Sequence, residues 1–206
     1  MMDVLIAFLL DETGSMHSQK SDVIGGFNSF LEEQRKVEGK CRFIFTRFNS
    51  AKIDTEDYTD IAEVPELTDG TYLPNHSTPL FDAIGKTVAD IDDLEILVDR
   101  VLFVIFTDGE ENSSREYRKA DIARIVKEHE AKQSWDFLFI GADIDAYDEA
   151  AKVGLAAGST ITTNSMSVGS TFGATGQSVT AYREGDSDWQ ASLREEETRQ
   201  KEGSKS

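Results

Sequence analysis

Val4-Leu5-Ile6-Ala7-Phe8-Leu9-Leu10, running directly into Asp11-Glu12-Thr13-Gly14-Ser15-Met16, is the stretch on which the reading of this chain turns. Seven apolar residues with no in/out alternation suit a central strand covered on both faces. The run is too short to span a bilayer, has no basic segment before it and ends in two acids, so a buried strand is expected and not a signal or anchor. At its end Asp11, Thr13 and Ser15 alternate, so all three can face one point as the chain turns. Gly14 lets that turn close tightly.

Working outward, residues 42–48, 101–107 and 137–140 are apolar runs of the same kind. Between them lie sets with helical spacing: Val23, Ile24, Phe27, Phe30 and Leu31; Leu80, Ile84, Val88, Ile91 and Leu94; Ile122, Ile125, Val126 and His129. Strands alternating with amphipathic helices predict an α/β fold, a three-layer αβα sandwich around a doubly wound, mainly parallel sheet. Residues 52–55 are expected to form one antiparallel edge strand, paired in a hairpin with 42–48. A short helix near 145–154, a last strand at 159–162, a Gly/Ser/Thr-rich segment through Gln177 and a weakly helical last segment up to Arg183 complete the domain, residues 1–184. Residues 185–206 are polar, with Trp189 and Leu193 as their only large apolar residues, and are expected to be a flexible tail. The alternative for them is a terminal helix docked through that i, i+4 pair.

A length of 206 residues suits one domain with a substantial core. The 39 acidic against 21 basic residues give a formal charge of −18. That argues against a nucleic-acid binder, whose affinity comes from Lys and Arg neutralising phosphates, and against an anionic membrane surface. The single Cys41 allows no internal disulfide and reads as a small buried hydrophobe, so a cytoplasmic setting is expected.

Two more motifs sit where a strand should give way to a loop, Ser77-Thr78-Pro79-Leu80 and Phe106-Thr107-Asp108-Gly109. Open α/β sheets bind ligands at the carboxyl ends of their strands. Brought together there, the three motifs offer two carboxylates and three hydroxyls, the all-oxygen chemistry that Mg2+ prefers. Taken singly, Ser15 and Thr78 read better as helix caps.

As a set, these residues resemble the von Willebrand factor type A (vWA) family, whose metal-ion-dependent adhesion site (MIDAS) is made from Asp-x-Ser-x-Ser, a distant Thr and a distant Asp. The matching positions are Asp11, Thr13, Ser15, Thr78 and Asp108, with Thr13 where the family most often has Ser. The resemblance implies a six-coordinate Mg2+, with Mn2+ or Ca2+ as alternative ions, and a position left for an acidic residue of a protein partner. The function it implies is a metal-dependent protein–protein interaction module and not an enzyme. Two other readings stand beside it. One is a Mg2+-dependent phosphohydrolase with Asp11 as nucleophile, although the haloacid-dehalogenase pattern Asp-x-Asp meets Thr at position 13. The other is a structural or assembly protein with a merely stabilising metal. His17 and His76 read as solvated rim residues, and His129 as the edge of a buried helical stripe. Glu12, Glu110 and Glu111 read as solvated loop charges that make the rim acidic, so a partner would frame its acidic residue with basic ones.

Overall fold

The computed structural model describes residues 2–94, 97–142 and 145–203. Six strands, β1 (Val4–Asp11), β2 (Cys41–Asn49), β3 (Lys52–Tyr58), β4 (Arg100–Thr107), β5 (Trp135–Ala142) and β6 (Thr160–Thr163), form one sheet in the order β3-β2-β1-β4-β5-β6. All neighbours are parallel except β2 and β3, so the antiparallel strand lies at the edge, as expected. Helices α1 (Lys20–Gln34), α5 (Val168–Glu184) and α6 (Ala191–Gly203) cover one face. Helices α2 (Leu80–Asp93), α3 (Lys119–Glu130) and α4 (Ala146–Lys152) cover the other.

The unalternating sequence of β1 follows from these two layers. Val4, Ile6, Phe8 and Leu10 enter the core under α1 and α5, while Leu5, Ala7 and Leu9 enter the core under α2 and α3. Phe8 is the hub of the first core, with the rings of Phe27 and Phe30 each 5.5 Å away and those of Phe43 and Phe172 each 6.3 Å away. From β1 the chain winds outward through α1 to β2 and β3, then returns over the opposite face through α2 to β4, on the other side of β1. The carboxyl ends of β1 and β4 therefore flank the topological switch point, where open α/β sheets bind their ligands.

Three segments differ from the sequence expectation. Strand β3 continues to Tyr58 instead of ending at residue 55, because its acids find cross-strand partners: Asp57 on Arg42, and Asp54 and Glu56 on Arg47. The Gly/Ser/Thr-rich segment is a full and mostly buried helix, α5. Small residues on both helices let it lie close against α1: a Cβ on Gly176 would run into the Glu33 carboxylate, and a Cβ on Gly26 of α1 would collide with the Phe172 side chain as far back as that residue's own Cβ, at 2.9 Å. Residues 185–203 follow the alternative of a docked terminal helix and not that of a flexible tail. They carry α6, with Trp189 and Leu193 buried in the first core and the Trp189 ring edge-on to Tyr182 at 5.2 Å. Glu197 reaches the outer edge of β6, accepting from the Thr162 N–H at 3.2 Å. Among the described residues no helix is long and apolar enough to cross a membrane.

Candidate metal centre

Strand β1 delivers Asp11 and β4 delivers Thr107 to the same edge, since Leu10 pairs with Phe106 one residue earlier. The Thr107 hydroxyl donates to Asp11 Oδ2 at 2.5 Å, and the Thr13 N–H donates to Asp11 Oδ1 at 2.7 Å. The chain then enters a tight 3-10 turn, Gly14–Gln19, which presents the Thr13 and Ser15 hydroxyls 3.1 Å apart. Ser15 Oγ donates to Asp108 Oδ1 at 2.5 Å, while Gln19 Nε2 holds the other oxygen of Asp108 at 2.9 Å. Thr78 is fixed through its backbone. Its N–H donates to Asn112 Oδ1 at 2.9 Å, and its carbonyl accepts from the Asn112 N–H at 3.1 Å.

Gly109 links the two halves of the site: a Cβ there would lie 2.7 Å from Thr78 Oγ1 and 3.5 Å from Asp11 Oδ2. Asp11, Thr13, Ser15, Thr78 and Asp108 thus surround one small space. Asp11, Thr13 and Thr78 are buried, Asp108 is half-buried and Ser15 is exposed, so the space is a cup with a buried floor and an open rim. Helix capping does not account for the hydroxyls. The first-turn N–H groups of Phe81 and Asp82 on α2 donate to Glu111 Oε2 and Ser114 Oγ, and Ser15 is turned to Asp108.

The loop of residues 72–78 holds the motif in place. Tyr72 donates its hydroxyl to the Asp11 carbonyl at 2.6 Å, the Asn75 N–H donates to the Glu12 carbonyl at 3.0 Å, and Gly14 donates its N–H to the His76 carbonyl at 2.9 Å. His76 takes up the left-handed region at φ 69° to aim that carbonyl, while its side chain and that of His17 are exposed, as expected.

Glu12 and Glu111 depart from the sequence reading. Glu12 is fully buried, accepting from the Leu73 N–H at 2.7 Å and lying 3.0 Å from Lys52 Nζ, so it ties the motif to the β2–β3 turn. Glu111 accepts from Phe81, Ser113 and Ser114 and fixes the entrance of α2. Glu110 is exposed, as expected. Sequence reasoning missed Thr107, Gln19, Tyr72 and Asn112 as supports. Only Thr107 carried a signal, standing beside Asp108 at the end of the strand.

No protein-family model and no curated protein matches this sequence. Solved structures do match. The vWF domain of the type V pili tip protein Mfa5 from Porphyromonas gingivalis aligns with a TM-score of 0.62 at 11% identity, over 86% of this chain and 95% of that one. Proximal thread matrix protein 1 from the mussel byssus aligns with a TM-score of 0.61 at 14% identity, over 87% of this chain and 46% of that one. The fold is that of a von Willebrand factor type A domain. The chain spans about half the length of the mussel protein, and at these identities the likeness is one of fold. A further structure of that mussel protein, with a TM-score of 0.56 and 14% identity over 80% of this chain and 42% of that one, has a zinc-occupied MIDAS motif.

On this vWA fold the electrostatics of the cup suit a cation. Burial pushes the Asp11 carboxyl up to about 7; the hydrogen bonds from Thr107 and Thr13 offset it only in part, and the nearby Asp108 charge adds to it. Tyr72 is raised well above its ordinary value by burial and by the same carboxylates. Among the described residues no group of three His, Cys, Asp or Glu side chains could hold a metal, so an ion here depends on hydroxyls beside two carboxylates. Such a donor set, oxygen only, fits a hard divalent cation such as Mg2+ and disfavours soft ones.

Proposed function

We propose that this chain is a protein-interaction module that captures a partner's carboxylate through a divalent cation held by Asp11, Thr13, Ser15, Thr78 and Asp108. The ion is Mg2+, with Mn2+ or Ca2+ as alternatives. One observation carries the reading: three segments far apart in sequence deliver two carboxylates and three hydroxyls to one half-open cup at the switch point of the sheet. A cation bound there supplies a positive charge that draws a carboxylate to the rim.

The chain's own residues divide the work. Asp11 offers its carboxyl group to the cation at the buried floor, Gln19 orients Asp108, Asn112 fixes Thr78, and Gly109 leaves the space between them clear. The zinc-occupied motif of the mussel protein supports metal binding on this fold. A non-catalytic role is favoured by Asp11 itself. It is fully buried with both oxygens hydrogen-bonded, which suits a fixed ligand better than a nucleophile, and Thr13 stands where a phosphohydrolase of the Asp-x-Asp type has its second acid.

Asn112→Ala is expected to lower Mg2+ affinity by about 10- to 100-fold without unfolding the chain, because it releases Thr78 and not the core. Isothermal titration with MgCl2 checks this; unchanged affinity would remove Thr78 from the ligand set. The functional claim is tested by selecting displayed peptides on the immobilised chain in Mg2+. Enrichment of an Asp or Glu flanked by Lys or Arg, with all binding lost in EDTA, is expected. Selected peptides that lack an acid or survive EDTA would contradict it.

A further inference from the structure

Next to the metal centre, past Pro79 on the α2 side of Thr78, a cleft of about 170 Å3 opens between the β2–β3 turn, the first turns of α2 and the loop after β4. Its wall adjoins the metal loop directly, because Ser50 donates its N–H to the Ser77 carbonyl at 2.9 Å. Each of the three walls contributes a cation: Lys52, Lys86 and Arg115. In a chain with 39 acids against 21 bases, this convergence runs against the prevailing charge.

The three cations are not equally engaged. Lys52 pairs with Glu12 at 3.0 Å and Lys86 with Glu116 at 2.7 Å. Asp82, the other acid in the wall, is turned to the loop backbone, accepting N–H bonds from Arg115, Glu116 and Tyr117 at 2.8 to 2.9 Å. Among the described residues, the Arg115 guanidinium makes no hydrogen bond or ion pair. In the same wall Ser113 Oγ is buried with no hydrogen-bond partner. Arg115 is exposed, so its unpaired guanidinium is open to an anion that enters the cleft, and a carboxylate meets it with charge-assisted bonds.

We propose that this cleft is a second anion subsite, taking another carboxylate of the partner whose first carboxylate goes to the metal centre. The module then selects segments with two acidic side chains at a fixed separation, the second one on Arg115. This inference rests on the proposed function for the first carboxylate only.

The test uses the full chain, 15N-labelled, and acetylated peptide amides with one Asp, or with two Asp separated by one to four Gly. In EDTA, amide shifts are expected at residues 49–53 and 113–116 and are lost in Arg115→Ala. In Mg2+, one spacing of the two-acid series is expected to bind about tenfold tighter than the one-acid peptide. Arg115→Ala should abolish that gain and leave Mg2+ affinity and the Mg2+-dependent part of one-acid binding unchanged. Shifts confined to residues 13–15 and 108–109 in Mg2+ would overturn the cleft and keep the metal centre. Cleft shifts in EDTA with no shift at residues 13–15 and 108–109 and no gain in affinity when Mg2+ is added would keep the cleft as an anion site and overturn the metal reading. No shift in either region would overturn both.

Discussion

Asp11→Asn is expected to raise the melting temperature of the metal-free protein at pH 8, with a gap from the unsubstituted chain that shrinks as the pH is lowered to 5. The folded protein holds the Asp11 proton up to about pH 7, whereas an unfolded carboxyl releases it near 3.8. Between those values the folded state binds more protons than the unfolded state, so stability falls as pH rises through that window and levels off above it. At about 1.4 kcal/mol for each pH unit, the ionised side chain costs a few kcal/mol at pH 8. Asn escapes that cost and keeps the local bonds. Its Oδ1 still accepts from Thr13, its amide donates to Thr107, and the Thr107 hydroxyl can turn to the Gly109 carbonyl, already 3.2 Å away. Adding Mg2+ at pH 8 should raise the melting temperature of the unsubstituted chain and leave Asp11→Asn unmoved. A metal-free variant less stable than the parent at pH 8 would show that Asp11 is not a strained buried charge.

The second large effect lies at the other end of the chain. Trp189→Ala is expected to cost roughly 3–5 kcal/mol in urea unfolding, as for other buried Trp truncations, since the ring packs on Tyr182 and closes the core under α5. If residues 185–206 were a solvated tail, the same substitution would stay within about 0.5 kcal/mol. Those two outcomes are far enough apart to need no further control.

The contrast between the two ends shows what a sequence can and cannot display. Strand β1 and the segments around Asp11, Thr78 and Asp108 were legible because a strand buried on both faces and a loop of oxygen donors each leave a local pattern. Helix α5 was faint because its packing depends on small residues, whose value lies in how closely the two helices meet at Gly26 of α1 and Gly176 of α5 and not in any apolar stripe. Helix α6 was hidden for a related reason. Only Trp189 and Leu193 mark it, and the sheet edge it covers exists only once β6 has formed. Glu12 misled most plainly. An acid in a Gly-containing loop reads as solvated, yet the Leu73 N–H and Lys52 that hold it come from segments 61 and 40 residues away and meet it only in the folded chain.

The most direct measurement is a crystal of the full chain soaked in MnCl2, with the ion located by its anomalous scattering. The account requires one strong peak in the cup, with oxygens of Asp11, Thr13, Ser15, Thr78 and Asp108 around it as direct or water-linked ligands, and no such peak in Asp11→Ala. A Mn2+ peak bound elsewhere, or an empty cup at saturating Mn2+, would contradict it.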